Sequence, residues 1–159
     1  MRGASLSDYV ISSEDFVLNC PELFPLYAQH YREMQENQRR NGSELPPLNP
    51  RLDAYYKAYR DGYLINYVVR KDGEAVGYAN VYTTNDMHNG DLIAREDTIF
   101  VRKDHRNGVG VKLMRHILAD MKARGCRRGH VMAATDPRVV KLWKRLGFKE
   151  SGMAMIYVF

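Results

Sequence analysis

The chain reads as an α/β fold on a mixed central sheet, in the order β-α-α-β-β-β-α-β-α-β. Three observations predict it. Apolar residues recur at helical spacing within residues 21–38, 52–59, 113–121 and 139–146. Between them lie runs rich in β-branched and aromatic residues, at 63–70, 75–84 and 92–102. Glycine marks the handovers: Asp72-Gly73 between two strands, and Gly108-Val109-Gly110 between a strand and a helix. The order is that of an antiparallel meander leading into a βαβ unit.

Taken in order, residues 6–11 are a short first strand. Residues 21–38 carry Leu23, Tyr27, Tyr31 and Met34 on one helical face. The polar, proline-rich stretch at 39–50 is a loop. A second helix starts at Asn49-Pro50, a cap followed by a first-turn proline, carries Leu52, Tyr55, Tyr56 and Tyr59, and stops at Asp61-Gly62. Residues 63–70 and 75–84 form a hairpin around Asp72-Gly73, and 92–102 is the next strand. Leu113, Met114, Ile117, Leu118 and Met121 then form the apolar face of a helix ending at Arg124-Gly125. A strand at 128–135 follows. The last helix opens with Asp136-Pro137, carries Val139, Leu142, Trp143 and Leu146, and ends at Gly147. Residues 153–159 are the closing strand.

A length of 159 residues with no repeat and no linker predicts a single domain over 1–159. No apolar run reaches membrane-span length, and no apolar stretch follows the N-terminus as a secretion signal would require, so a cytoplasmic protein is expected. Cys20 and Cys126, far apart, fit a reducing compartment. The five histidines show no ligand spacing, and no metal site is expected.

Charge is distributed unevenly. Residues 1–101 hold ten Lys/Arg against fifteen Asp/Glu, whereas 102–149 hold fourteen against three. The basic segment begins at the glycine turn, which points to an anionic partner. The turn has a physical use of its own. Glycine lets ligand atoms approach the backbone, the first amides of a helix have no internal partner, and the helix dipole adds positive charge there. Together they make a phosphate seat, to which Arg106 and Lys112 add formal charge. The pattern is neither a dinucleotide fingerprint nor a P-loop, since Gly108-x-Gly110 lacks both the third glycine and the Gly-Lys-Ser/Thr ending.

Residues 101–114, VRKDHRNGVGVKLM, resemble the acyl-CoA-binding segment of the GNAT N-acetyltransferase superfamily, an Arg/Gln-x-x-Gly-x-Gly/Ala loop after a strand. Residues 142–148, LWKRLGF, are similar to that family's late helix, which commonly ends Leu-Tyr-x-x-x-Gly-Phe. The element order agrees as well. The resemblance implies a GNAT-like sheet whose splayed strands form an acyl-CoA cleft. It implies acetyl-CoA as co-substrate, with no metal, and a primary amine as acceptor, attacking the thioester directly. In that arrangement Ile99, Phe100, Val101 and Arg102 face the pantetheine arm. Arg106, Asn107, Gly108, Val109, Gly110, Val111 and Lys112 hold the pyrophosphate.

The match is imperfect in two places. With Arg106 as the family arginine the loop is one residue short; with the usual spacing, His105 takes its place. The shortened loop is preferred. Trp143 stands where many members have a tyrosine acid; an indole N–H is no acid, so Trp143 packs against the cofactor arm or in the core. Glu96 and Asp97 are the catalytic candidates, as bases for the acceptor ammonium. Strand alternation points them to opposite faces, with Glu96 slightly favoured. The tyrosines of the two early helices wall the acceptor side by the same resemblance. The acidic first part of the chain tilts the acceptor towards a cation. Two alternatives share the scaffold: a nucleic-acid-acting protein, argued from the basic segment alone, and an inactive interaction or inhibitor protein, kept open by Trp143. A homodimer through edge strands is also expected.

Overall fold

The computed structural model describes residues 5–133, 136–152 and 157. The sheet runs in the order β1 (Tyr9–Glu14), β2 (Leu64–Lys71), β3 (Glu74–Asn85), β4 (Leu92–Val101) and β5 (Arg128–His130). The first four strands are mutually antiparallel and β5 is parallel to β4. Helices α1 (Phe16–Arg40) and α2 (Leu52–Arg60) cover one face. On the other face α3 (Val109–Ala123) and α4 (Pro137–Arg145) close the larger core, with Tyr67, Ala79, Val101, Leu113, Ile117 and Trp143 buried in it.

Most elements form where the sequence places them. The differences have local causes. Residues 6–8 form a single 3₁₀ turn instead of strand, because Ser5 and Asp8 close a reciprocal cap around it; β1 begins at Tyr9. The first helix starts five residues before Pro21, at Phe16, where the Asp15 side chain accepts the Leu18 N–H at 2.9 Å. Pro21 and Pro25 lie inside it, both on the exposed side, so the carbonyls they leave without a donor face water. The second helix starts at Leu52, two residues beyond Pro50, with Arg51 at an N-cap that makes no side-chain bond.

The hairpin turn is as read: Asp72 and Gly73 both have positive φ, 51° and 84°, as a type I′ turn demands. Of the strand expected at 128–135 only Arg128–His130 forms, as β5; residues 131–133 are not strand, and 134 and 135 lie outside the described set. The closing strand expected at 153–159 also lies outside it, apart from the exposed Tyr157. Among the described residues no helix is long and apolar enough to cross a membrane, and no three His, Cys, Asp or Glu side chains gather as metal ligands.

Two irregularities of β4 position everything that follows. On the β3 side, Asn80 pairs with Thr98 but Val81 pairs with Glu96, so Asp97 is an extra residue, a β-bulge. The bulge reverses the alternation. Ala94 and Glu96 face α3 before it, and Ile99 and Val101 face α3 after it. On the β5 side, pairing covers only Ile93–Arg128, Ala94–Gly129 and Arg95–His130. From Glu96 onward β4 and β5 part.

Candidate active site

The gap between the parted strands is lined by backbone. Arg102 donates its N–H to the Val76 carbonyl at 2.9 Å. This makes Gly77 and Val101 a pair that exchanges no bonds, and leaves Tyr78 and Phe100 as the pair that does. The amides and carbonyls of Ile99 and Val101 therefore point away from β3, into the gap. The side chains alternate: Phe100 is buried under α1, stacked on His30 at 5.1 Å, while Ile99 and Val101 pack towards α3.

At the root of the gap sits Glu96. Its carboxylate accepts the Met132 N–H at 3.2 Å, a donor that a continued ladder would have spent on β4. The same residue is held on its other side, where Trp143 Nε1 donates to the Met132 carbonyl at 3.0 Å. Burial pushes the Glu96 carboxyl up to about 7, against the pull of the Met132 amide and with a smaller push from Asp97. Beside Glu96 lies a cavity of about 120 Å³, mostly apolar, lined by Ala79, Val81, Ala94, Met114, Ile117 and Phe148, with Lys122, Arg127, Arg128 and His130 also on its wall.

Asp97 faces the other way. It reaches solvent on the α2 side, where the Tyr55 hydroxyl donates to Oδ2 at 2.8 Å. Burial by neighbouring side chains raises its carboxyl too, opposed by that hydroxyl. Glu96 and Asp97 thus face opposite ways, as the alternation of a strand predicts, Glu96 towards α3 and Asp97 towards α2. Neither carboxylate pairs with a cation among the described residues.

The other end of the gap meets the glycine turn. After Arg102 a 3₁₀ turn, Lys103–His105, leads to Gly108, which caps α3 with φ 85° and no side-chain bond. A side chain there would be strained and would press on Leu6, 3.4 Å from an added Cβ. The amides of Val109, Gly110 and Val111 precede the first intrahelical bond, which runs from the Lys112 N–H to the Gly108 carbonyl at 3.0 Å. Gly110 has open space where a side chain would begin. The unpartnered amides are therefore those of the first helical turn, with exposed Asn107 at their edge.

The charged neighbours are placed differently from what their spacing suggests. Lys112 bonds the carbonyls of Leu6 and Tyr9, at 2.7 and 2.6 Å, and ties the N-terminal turn to the loop. Arg106 donates to the Val101 carbonyl at 2.7 Å, pairs with Glu33 at 2.6 Å and lies over the Phe100 ring. Arg102 pairs with Glu74 and Asp104. His105 turns to the Tyr9 hydroxyl at 2.9 Å. Asp136 caps α4 through the Arg138 N–H at 2.9 Å. Trp143 is buried at 5 % exposure against Phe148. The Met132 peptide was missed by sequence reasoning, because a main-chain contact leaves no trace in residue identity.

A five-stranded mixed sheet with a bulged, splayed β4 and a bare-amide turn is the framework of an acyltransferase fold. The chain belongs to the GNAT acetyltransferase family, whose model, described as Acetyltransferase (GNAT) family, matches residues 25–148. Solved structures agree in fold. A ribosomal-protein-alanine N-acetyltransferase from Brucella melitensis biovar Abortus 2308 superposes with a TM-score of 0.72 at 18 % identity, covering 95 % of this chain and 99 % of that one. The aminoglycoside acetyltransferase meta-AAC0020 from an uncultured soil metagenomic sample, in complex with sisomicin, gives 0.75 at 14 %, covering 96 % and 97 %. Glucosamine-6-phosphate N-acetyltransferase from Arabidopsis thaliana gives 0.70 at 11 %, covering 95 % and 98 %. No curated protein sequence matches.

Proposed function

We propose that this chain transfers an acetyl group from acetyl-CoA to a primary amine by direct attack within a ternary complex. One observation carries the reading: a cation-free carboxylate, Glu96, raised to about 7 at the root of a gap lined by main-chain donors. A carboxyl of that affinity is about half ionised near neutral pH, and its ionised form can accept a proton from an ammonium. The residues present suit the co-substrate. The amides of Val109 to Val111 suit a diphosphate, and the Ile99 amide and carbonyl and the Val101 amide offer bonds to an extended pantetheine arm.

Acetyl-CoA supplies the thioester carbon. Glu96 takes the proton as the amine nitrogen bonds to that carbon. The amides facing the gap receive the negative charge that develops on the carbonyl oxygen. As the carbon–sulfur bond breaks, sulfur leaves as thiolate, for which an ordinary thiol needs no acid near neutral pH. Trp143 is accordingly not a proton donor; its N–H is spent on Met132.

Thermal denaturation with acetyl-CoA tests the seat. At a hundredfold excess over Kd the gain is about 2.7 kcal/mol, roughly 5–10 °C at this size. Gly110→Trp fills open space at the first turn of α3, so the variant folds and the shift disappears. An unchanged shift in that variant, or thiol release that no amine stimulates, would overturn the reading.

A further inference from the structure

The acetyltransferase reading gives Glu96 a task and leaves Asp97 without one. The bulge turns Asp97 out of the gap and towards α2. There its carboxylate reaches solvent while Tyr55 fixes one oxygen at 2.8 Å. Tyr82 stands beside Tyr55, ring centroids 6.4 Å apart and planes tilted by 32°. The half-buried tyrosines 27, 55 and 82 and the buried Tyr78 all feel the Asp97 charge, which helps burial push the Tyr82 hydroxyl up to about 12. No cation answers it among the described residues, although Glu14, Glu22, Glu33, Glu74 and Asp120 each have an arginine. A carboxylate of this kind, held on one oxygen by the Tyr55 hydroxyl and open to solvent, suits an ammonium group from outside.

Resting on the acetyltransferase reading, we infer that Asp97 with Tyr55 and Tyr82 binds a second positive charge of the acceptor, which is therefore a di- or polycationic primary amine. The two charges have separate fates. The ammonium on Asp97 keeps its proton, because a carboxylate favours the charged form. The other nitrogen extends past the bulge to the gap and gives its proton to Glu96. Asp97 on this account is a specificity residue that does not touch the reacting atoms. The net negative charge of residues 1–101, ten Lys/Arg against fifteen Asp/Glu, favours the same class of acceptor.

The test compares 1,4-diaminobutane and spermidine with 4-aminobutan-1-ol, a similar chain with one charge, at low ionic strength. The diamine is favoured in kcat/KM by ten- to a hundredfold, the usual range for a hydrogen bond to a charged group. Asp97→Asn brings that ratio close to one, with the loss falling on the diamine's KM. Tyr55→Phe, which frees the carboxylate, reduces the ratio a few-fold. Without acetyl-CoA, diamines raise the melting temperature of the natural chain and not of Asp97→Asn. Two results overturn the inference while sparing the acetyltransferase reading: turnover with no diamine preference, or an equal fall in kcat for both acceptors in Asp97→Asn, which would make Asp97 the base. Diamine binding that depends on Asp97 with no turnover on any amine would sink the acetyltransferase reading and leave the cation site standing.

Discussion

Strand β4 has two edges that do different work. Its β3 edge is paired from Leu92 to Val101, interrupted only by the bulge at Asp97. Its β5 edge is paired at Ile93, Ala94 and Arg95 and then released. The paired edge anchors the strand within a buried core. The released edge frees the amide and carbonyl of Ile99 and the amide of Val101 from strand pairing, while the Val101 carbonyl is taken by Arg106. Withholding one partner from one half of a strand thus leaves main-chain groups open, and Glu96 and Asp97 stand where the withholding begins.

Removing the carboxylate at that point is the most damaging way to test the comparison. Glu96→Gln lowers kcat by about 10²–10⁴, the usual worth of a general base. In the natural chain the rate rises with pH through about 7, where Glu96 loses its proton, and then levels; in the variant that step is absent. Stability moves the other way. The folded-state carboxyl titrates about 7, above its ordinary 4.5, so the fold is favoured while Glu96 is protonated and loses that support as pH rises through 7. Glutamine carries no charge at any pH. Glu96→Gln therefore melts higher than the natural chain at pH 8.5, by a few degrees, and at the same temperature near pH 4.5. Pairing with an unseen cation would instead make the variant less stable at pH 8.5.

The two edges also answer differently to a single added methyl. On the β3 edge, a Cβ at Gly77 would lie 2.8 Å from the Phe100 carbonyl oxygen and 3.2 Å from Val101 Cα, both main chain. Gly77→Ala forces β3 and β4 apart behind the site and costs about 1–3 kcal/mol. On the β5 edge, the nearest atom to a Cβ at Gly129 is Phe148 Cε1 at 4.0 Å. Gly129→Ala stays within about 0.5 kcal/mol of the natural chain. Equal losses in a denaturant series would mean that β5 holds β4 as tightly as β3 does.

Much of this arrangement is legible in the residues. Periodicity, the Asp72-Gly73 turn and the glycines at 62, 108, 125 and 147 mark the element ends, because positive φ at those points needs glycine. The unpartnered amides of Val109 to Val111 follow from the same turn. What the residues conceal depends on main-chain register. Nothing in Glu96-Asp97-Thr98 announces that Asp97 is one residue too many for β3. The charge of Lys112 and Arg106 suggests phosphate ligands, yet carbonyls and Glu33 engage them, since folding brings distant polar groups within reach. Pro21 reads as a helix start because proline favours the first turn. Here the helix begins earlier and carries both prolines on its wet side.

Trp143 gives the subtlest measure of the released edge. Its indole bonds the Met132 carbonyl and the Met132 amide bonds Glu96, so one residue links α4 to Glu96 of β4. A tyrosine at this place would bring an acid; the tryptophan brings a fixed strand end. Trp143→Phe keeps an aromatic ring against Phe148 and removes only the N–H. Loss of that bond costs about 1 kcal/mol of stability. The looser Met132 amide then stabilises the Glu96 carboxylate less, so its affinity for protons rises and the pH–rate step moves above 7. A buried residue that only fills space would lower the melting temperature and leave the step where it was. Moving the step requires the link through Met132, and with it the idea that the parted edge is held open from outside the sheet.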